Sequence, residues 1–183
     1  MALKAKIVSF AAALLLRCFC CSVHAFEVPE SFLKLVAESR VEFSYSFIAT
    51  QGKKVFSGKG SVTYQDKAYK LENDLYKVYN DCTVMCSVNE ADKEIVVEPG
   101  VSVDYLSHPE YLLDFFGKKA KGADITPHFS SEGRLTGVDA ELKDGSTFSL
   151  RIPEMEFGPK GDLSDFSFDL SAVDNSYVVT DLR

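Results

Sequence analysis

The 183-residue chain carries 20 Lys and Arg against 27 Asp and Glu, a formal charge of −7, with 14 Phe and 8 Tyr but no Trp. This acidic balance argues against nucleic acid as a partner and against adhesion to anionic lipid surfaces, because both are polyanions. Only one long apolar run exists, near the start, so the remainder is expected to be soluble.

That run defines the first element. Lys4 and Lys6 precede an apolar stretch from Ile7 to Leu16, too short for a comfortable membrane span, and Val23 and Ala25 supply small residues at a cleavage site. The pattern predicts a secretory signal peptide over residues 1–25, cut after Ala25, and one domain over 26–183. Cys18, Cys20 and Cys21 do not follow a Gly, Ala or Ser, which argues against lipidation. Cleavage removes Lys4, Lys6 and Arg17 and no acid, so the charge moves from −7 to −10. Export without an anchor implies the periplasm in a Gram-negative source, or the outside otherwise.

Residues Pro29 to Arg40 read as an amphipathic helix, with Phe32, Leu35, Val36 and Ser39 on one stripe. Six short aromatic and β-branched runs follow: Val41–Ile48, Val55–Tyr64, Tyr69–Glu72, Tyr76–Asn80, Val84–Val88 and Glu94–Glu98. Polar breaks between them predict an antiparallel meander. Phe43, Tyr45 and Phe47 alternate with Ser44 and Ser46, so the sheet presents one long apolar face that something must cover.

After Pro99-Gly100, Ser107-His108-Pro109-Glu110 has the form of a capping box, with Leu106 and Tyr111 placed as a staple. Leu112, Leu113, Phe115 and Phe116 then give a short apolar helix that ends at Gly117. It is expected either to plug the core or to act as a lid over a cavity. From Ile125 alternation resumes: Val138, Ala140 and Leu142, an Asp144-Gly145 turn, then Phe148, Leu150 and Ile152. Pro153 to Asp165 reads as loop, Phe166, Phe168 and Leu170 alternate once more, and Tyr177-Val178-Val179 is a plausible last strand. The fold class is therefore mainly β (α+β), an unclosed or closed antiparallel barrel of about 10–11 strands with two short helices.

Cys82 and Cys86 would lie about 13 Å apart on one strand, too far for a disulfide, and read as two small buried thiols beside a turn. The two remaining histidines, His108 and His128, each lie beside a Pro. No nucleophile elbow, metalloprotease motif, phosphate loop or dinucleotide glycine pattern occurs. The expectation is a non-enzymatic protein without cofactor or metal, organised around an apolar concavity.

The order of these segments resembles the LolA-like outer-membrane lipoprotein carriers. The early helix precedes Phe43-Ser44-Tyr45-Ser46-Phe47, then come Val55 to Val62, Tyr69 to Glu72, the Asn80 to Val88 hairpin, Lys93 to Val97, the apolar helix at 109–116, Phe166-Ser167-Phe168 and the Val179 to Arg183 end. The resemblance implies an unclosed barrel with helices in its mouth that carries lipoprotein acyl chains across the periplasm. The implied partners are acylated lipoproteins, an inner-membrane release complex and an outer-membrane acceptor, with the carrier a monomer. The implied lining is Phe43, Tyr45, Phe47, Phe56, Tyr69, Leu71, Leu112 and Phe116, each equally at home as core. The family's lid-latching Arg-Pro pair is replaced here by Gln65-Asp66, and Cys82 and Cys86 stand where a turn Gly and an aromatic are usual. Two alternatives remain: a periplasmic binding or sensing domain for another apolar ligand or a protein partner, and a structural domain with a filled core.

Overall fold

The computed structural model describes residues 27–109, 111–112 and 123–183. The predicted leader therefore lies outside the described residues, as do Leu113, Phe115 and Phe116 of the second expected helix. The architecture is mainly β, a single open sheet of eleven strands. In chain order these are β1 (Arg40–Gln51), β2 (Lys54–Gln65), β3 (Ala68–Asn73), β4 (Lys77–Asn80), β5 (Val84–Asn89), β6 (Glu94–Pro99), β7 (Asp124–Phe129), β8 (Leu135–Glu141), β9 (Thr147–Arg151), β10 (Met155–Gly158) and β11 (Val178–Asp181).

β1 is the hub. It pairs with β2 along its whole length, and its other edge is shared by β10 against Arg40–Phe43 and β9 against Ser46–Thr50. From β1 the meander runs outward through β2 to β6, and β9, β8 and β7 continue on the other side, so β11 and β7 form the two free edges. Pro127 sits in β7, where a residue without an N–H is tolerated at a sheet edge.

Direct cross-strand partners share a face, so rows can be traced across the sheet. One inward row runs Val41, Tyr64, Tyr69, Asn80, Met85, Glu98 from β1 to β6. All six are buried. A second inward row begins Phe43, Val62, Leu71. The only α-helix among the described residues, α1 (Glu30–Glu38), presents Phe32 to the rings of Phe129 and Phe157 at 5.9 and 6.3 Å, edge to face. It closes the inner face on the β7, β8 and β10 side. Its buried stripe is Phe32 and Val36, whereas Leu35, expected inside, is exposed.

Several expectations are corrected. Two helices were expected, but the described part of the second, Pro109, Tyr111 and Leu112, forms a tight 3-10 turn. Leu106 is buried and Tyr111 is exposed, its ring against His108 at 5.5 Å. β10 lies inside the stretch expected to be loop, because Arg40–Phe43 leaves an edge that Met155–Gly158 completes. Phe166 to Leu170 forms no strand. Two 3-10 turns there, Leu163–Phe166 and Leu170–Ala172, are started by Asp162 and Asp169, whose carboxylates accept the Ser164 and Ser171 amide hydrogens. The last strand exists, but it is parallel to β6.

This C-terminal segment crosses the outer face. Phe168, Val173 and Tyr177 cover Cys86, Val88, Ile95 and Val97, which explains why the outward residues of β5 and β6 are apolar. Cys82 and Cys86 are free thiols. Cys86 is buried, which pushes its pKa up to about 11, and Cys82 occupies a left-handed turn position with φ 71°.

Candidate functional site

The inner face holds the larger of the two apolar clusters, and the segment after β6 lies across it. Residues 101–106 run back over the row that begins at Val41. The Asn80 side chain donates to the Val101 carbonyl and accepts from its amide, both at 2.8 Å, and also donates to the Lys67 carbonyl at 3.4 Å. Further along, the Tyr69 and Tyr105 rings meet edge to face at 5.7 Å, and the Tyr64 hydroxyl donates to Asp104 Oδ1 at 2.9 Å. Asp104 also accepts the Ser107 amide at 3.0 Å. The strap therefore touches β4, β3 and β2 in turn and ends with Leu106 and Leu112 buried in the core.

Beneath it lies a cavity lined by Phe43, Tyr45, Val62, Tyr64, Tyr69, Leu71, Tyr105, Leu106, Leu112 and Leu150. No charged side chain contributes to that lining. The free space is about 20 Å³, enough for a water molecule and little more. Pockets that enclose organic ligands run to roughly 300–1,000 Å³, so the strap in this position fills the concavity.

Electrostatics follow the burial. Desolvation pushes the Tyr45 phenol up to about 12 and raises Tyr64 and Tyr69 as well, so all three are neutral hydrogen-bonding groups. Burial opposes ionisation of Asp104, yet the hydrogen bonds from Ser107 and Tyr64 outweigh it and hold its pKa below the usual carboxylate range. Glu98, at the β6 end of the row, has no such donors, and desolvation raises its pKa.

Of the eight residues singled out from sequence, Phe43, Tyr45, Tyr69, Leu71 and Leu112 come together at the cavity. Phe47 does not line it. It stacks on Phe148 at 5.9 Å toward the β1–β2 end. Phe56 is farther out on that hairpin and is 46% exposed. Phe116 lies outside the described residues. Sequence reasoning missed Val62, Tyr64, Leu150, Tyr105 and Leu106. Val62 and Tyr64 were recoverable, since a tight β1–β2 turn places them opposite Phe43 and Val41. Tyr105 and Leu106 carried only an apolar pair ahead of a polar stretch.

Gln65 turns away from the strap. Its amide donates to the Gly161 carbonyl at 3.0 Å and accepts the Gly161 amide at 2.9 Å, pinning the C-terminal segment. Lys160 pairs with Asp66 beside it.

No protein-family model matches the sequence, and no curated protein matches it significantly. Solved structures do align. An uncharacterised conserved protein from Thermus thermophilus is 7% identical with a TM-score of 0.49, covering 83% of this chain and 98% of that one. A DUF1329 family protein from Desulfovibrio piger is 10% identical at 0.45, covering 79% and 95%. A LolA superfamily protein from Nitrosomonas europaea is 10% identical at 0.39, covering 79% and 99%. With all three scores below 0.5, the fold stands on the strand order and register given above.

Proposed function

We propose that this protein is a periplasmic carrier that takes lipoprotein acyl chains against the inner face of its open sheet and ferries them toward the outer membrane. The observation that carries the reading is an uncharged, largely aromatic and aliphatic cavity closed by a strap with few polar anchors. The strap must leave for cargo to enter. Fully burying three side chains such as Tyr105, Leu106 and Leu112 contributes about 5–9 kcal/mol, whereas about fifteen methylenes of one acyl chain contribute about 12 kcal/mol. An acyl chain thus displaces the strap by a modest margin, the balance a carrier that must release its cargo requires. The order of sequence segments, which resembles the LolA-like carriers, agrees with this reading.

The small free space favours a second reading, a β domain whose core is permanently filled. Native mass spectrometry of the protein purified from the periplasm of an expressing bacterium, with organic extraction of whatever travels with it, separates the two. Co-purified triacylated peptide or protein supports the carrier. A clean apo mass that also ignores added lipopeptide and fatty acid supports the filled core, and fatty acid without lipopeptide indicates a different apolar ligand.

A further inference from the structure

The β1–β2 hairpin projects from the sheet at its Gly52 end. β3 pairs with β2 only from Gly60 onward, so residues 54–59 have no strand partner on that side among the described residues. At strand rise this leaves the tip about 20 Å beyond the β3–β4 turn. Residues 51–57 are all exposed. Three of the exposed side chains on this projection are apolar: Val55 at 68%, Ile48 at 55% and Phe56 at 46%. They do not form one face. Thr50 opposes Val55 and Ala49 opposes Phe56, which puts Val55 and Phe56 on opposite sides of the ribbon.

The same stretch departs from the rest of the chain in charge. From Phe43 to Gln65 there is no acidic residue, while Lys53, Lys54 and Lys59 supply three positive charges in a protein of net −7. On the other flank β9 accompanies the hairpin as far as Thr50, and the β8–β9 connection brings Glu141, Lys143 and Asp144, a local −1. β7 adds Asp124 directly opposite Glu141, so the end of the sheet as a whole is about +1, from +3, −1 and −1.

We propose that this tip docks on an anionic lipid surface, with Val55, Ile48 and Phe56 entering the interface and Lys53 and Lys54 meeting lipid phosphates. The net charge of the body, which opposes adhesion of the whole domain, is screened over about 8 Å at physiological salt. On the β3 side the tip reaches well past that distance. A groove on a protein partner would read one side of the ribbon, whereas a bilayer interface surrounds a protrusion and accepts apolar groups on both sides. The inference does not depend on the cargo assigned to the inner face.

The test uses the absence of Trp from the chain. Val55→Trp gives a single fluorophore at the tip, and Val178→Trp gives one on the exposed far edge. Phosphatidylglycerol–phosphatidylcholine vesicles should shift the Val55→Trp emission to the blue and leave Val178→Trp unchanged, with no response to phosphatidylcholine alone. In sedimentation with the same vesicles, Lys53→Gln and Lys54→Gln should each weaken binding about fivefold, and the double variant about twenty-fivefold. Added salt should weaken the parent more than the double variant. No blue shift at position 55, an equal shift at both positions, or sedimentation indifferent to the lysine changes would overturn the proposal. Binding of the tip to polyglutamate without a response to vesicles would also overturn it and reassign the surface to an acidic protein.

Discussion

Asn80→Ala is the sharpest probe of how the strap is held. Asn80 is fully buried, and its amide makes two 2.8 Å hydrogen bonds to Val101 and a longer one to the Lys67 carbonyl. Truncation leaves the Val101 amide and carbonyl without this partner. Each stranded group costs about 1–3 kcal/mol when fully buried, but Val101 is only half-buried and water recovers part, so the expected loss is about 2–4 kcal/mol. For a domain of this size that lowers Tm by about 5–15 °C. Urea unfolding gives the free energy, and hydrogen exchange at the Val101 amide shows whether the strap root loosens. Asn80→Asp is the companion. It keeps the acceptor, loses the donor and buries a carboxylate beside two carbonyls, so its penalty should be larger at pH 7 and should shrink as pH falls and the acid protonates. A loss below about 0.5 kcal/mol for Asn80→Ala, with unchanged exchange at Val101, would refute the assignment of Asn80 as the strap's root.

Other variants probe neighbouring features. Tyr64→Phe removes the hydroxyl that holds Asp104 and costs about 1 kcal/mol of strap closure, so a fluorescent acyl probe should bind up to about fivefold tighter if opening limits entry. Unchanged probe affinity at equal stability would separate the strap from ligand access. Two carboxylates should respond to pH with opposite sign. Asp139 is held well below the usual carboxylate range by the Arg151 guanidinium first, with Ser149 and His128 assisting, so its stabilisation is present above the ordinary pKa near 3.9 and is lost as pH falls below it. Asp139→Asn should lower Tm modestly at pH 7, since the cluster is partly exposed, and make little difference in strong acid. Glu98, raised by burial, destabilises once ionised, so Glu98→Gln should raise stability at neutral pH and leave it unchanged near pH 3. Gly60→Ala should unfold the protein at a markedly lower temperature, because the added methyl would collide with the Glu72 carbonyl oxygen and sit 2.7 Å from the buried Tyr45 hydroxyl.

The local periodicity of the sequence carries most of the strands. The six runs between Val41 and Glu98 match β1 to β6 within three residues at each end, and Asp144-Gly145 marks the β8–β9 turn, where Gly145 takes φ 75°. What is not legible is pairing between distant segments. Met155–Gly158 becomes a strand only because β1 is longer than β9 and offers an open edge, a fact about two elements more than a hundred residues apart. Phe166 and Phe168 alternate like a strand, yet Asp162 and Asp169 cap tight turns that place the two rings separately, one against Arg40 and the other against Tyr79. For the site, the aromatic positions on β1 and β3 announce an apolar face, but the strap covering it follows from a single buried amide at Asn80 and one phenol at Tyr64. Neither stands out by residue type, since Asn reads as turn and Tyr as strand.

The central placement of β1 has a kinetic consequence. It is the first strand made, and its early partner β2 follows after two residues, but the edge that β9 and β10 complete waits for segments about a hundred residues later in the chain. The Thr50–Thr147 contact spans 97 positions and the Arg40–Asp165 pair spans 125. Loops of that length must close before the contacts reward them, which places folding of this chain at the slow end for its size. Until then the β1–β2 ribbon exposes a hydrogen-bonding edge beside Phe43, Tyr45 and Phe47, a template for pairing with other chains. Refolding at high protein concentration is therefore expected to lose material to aggregation through this ribbon, and a holding chaperone would act on it before β9 arrives.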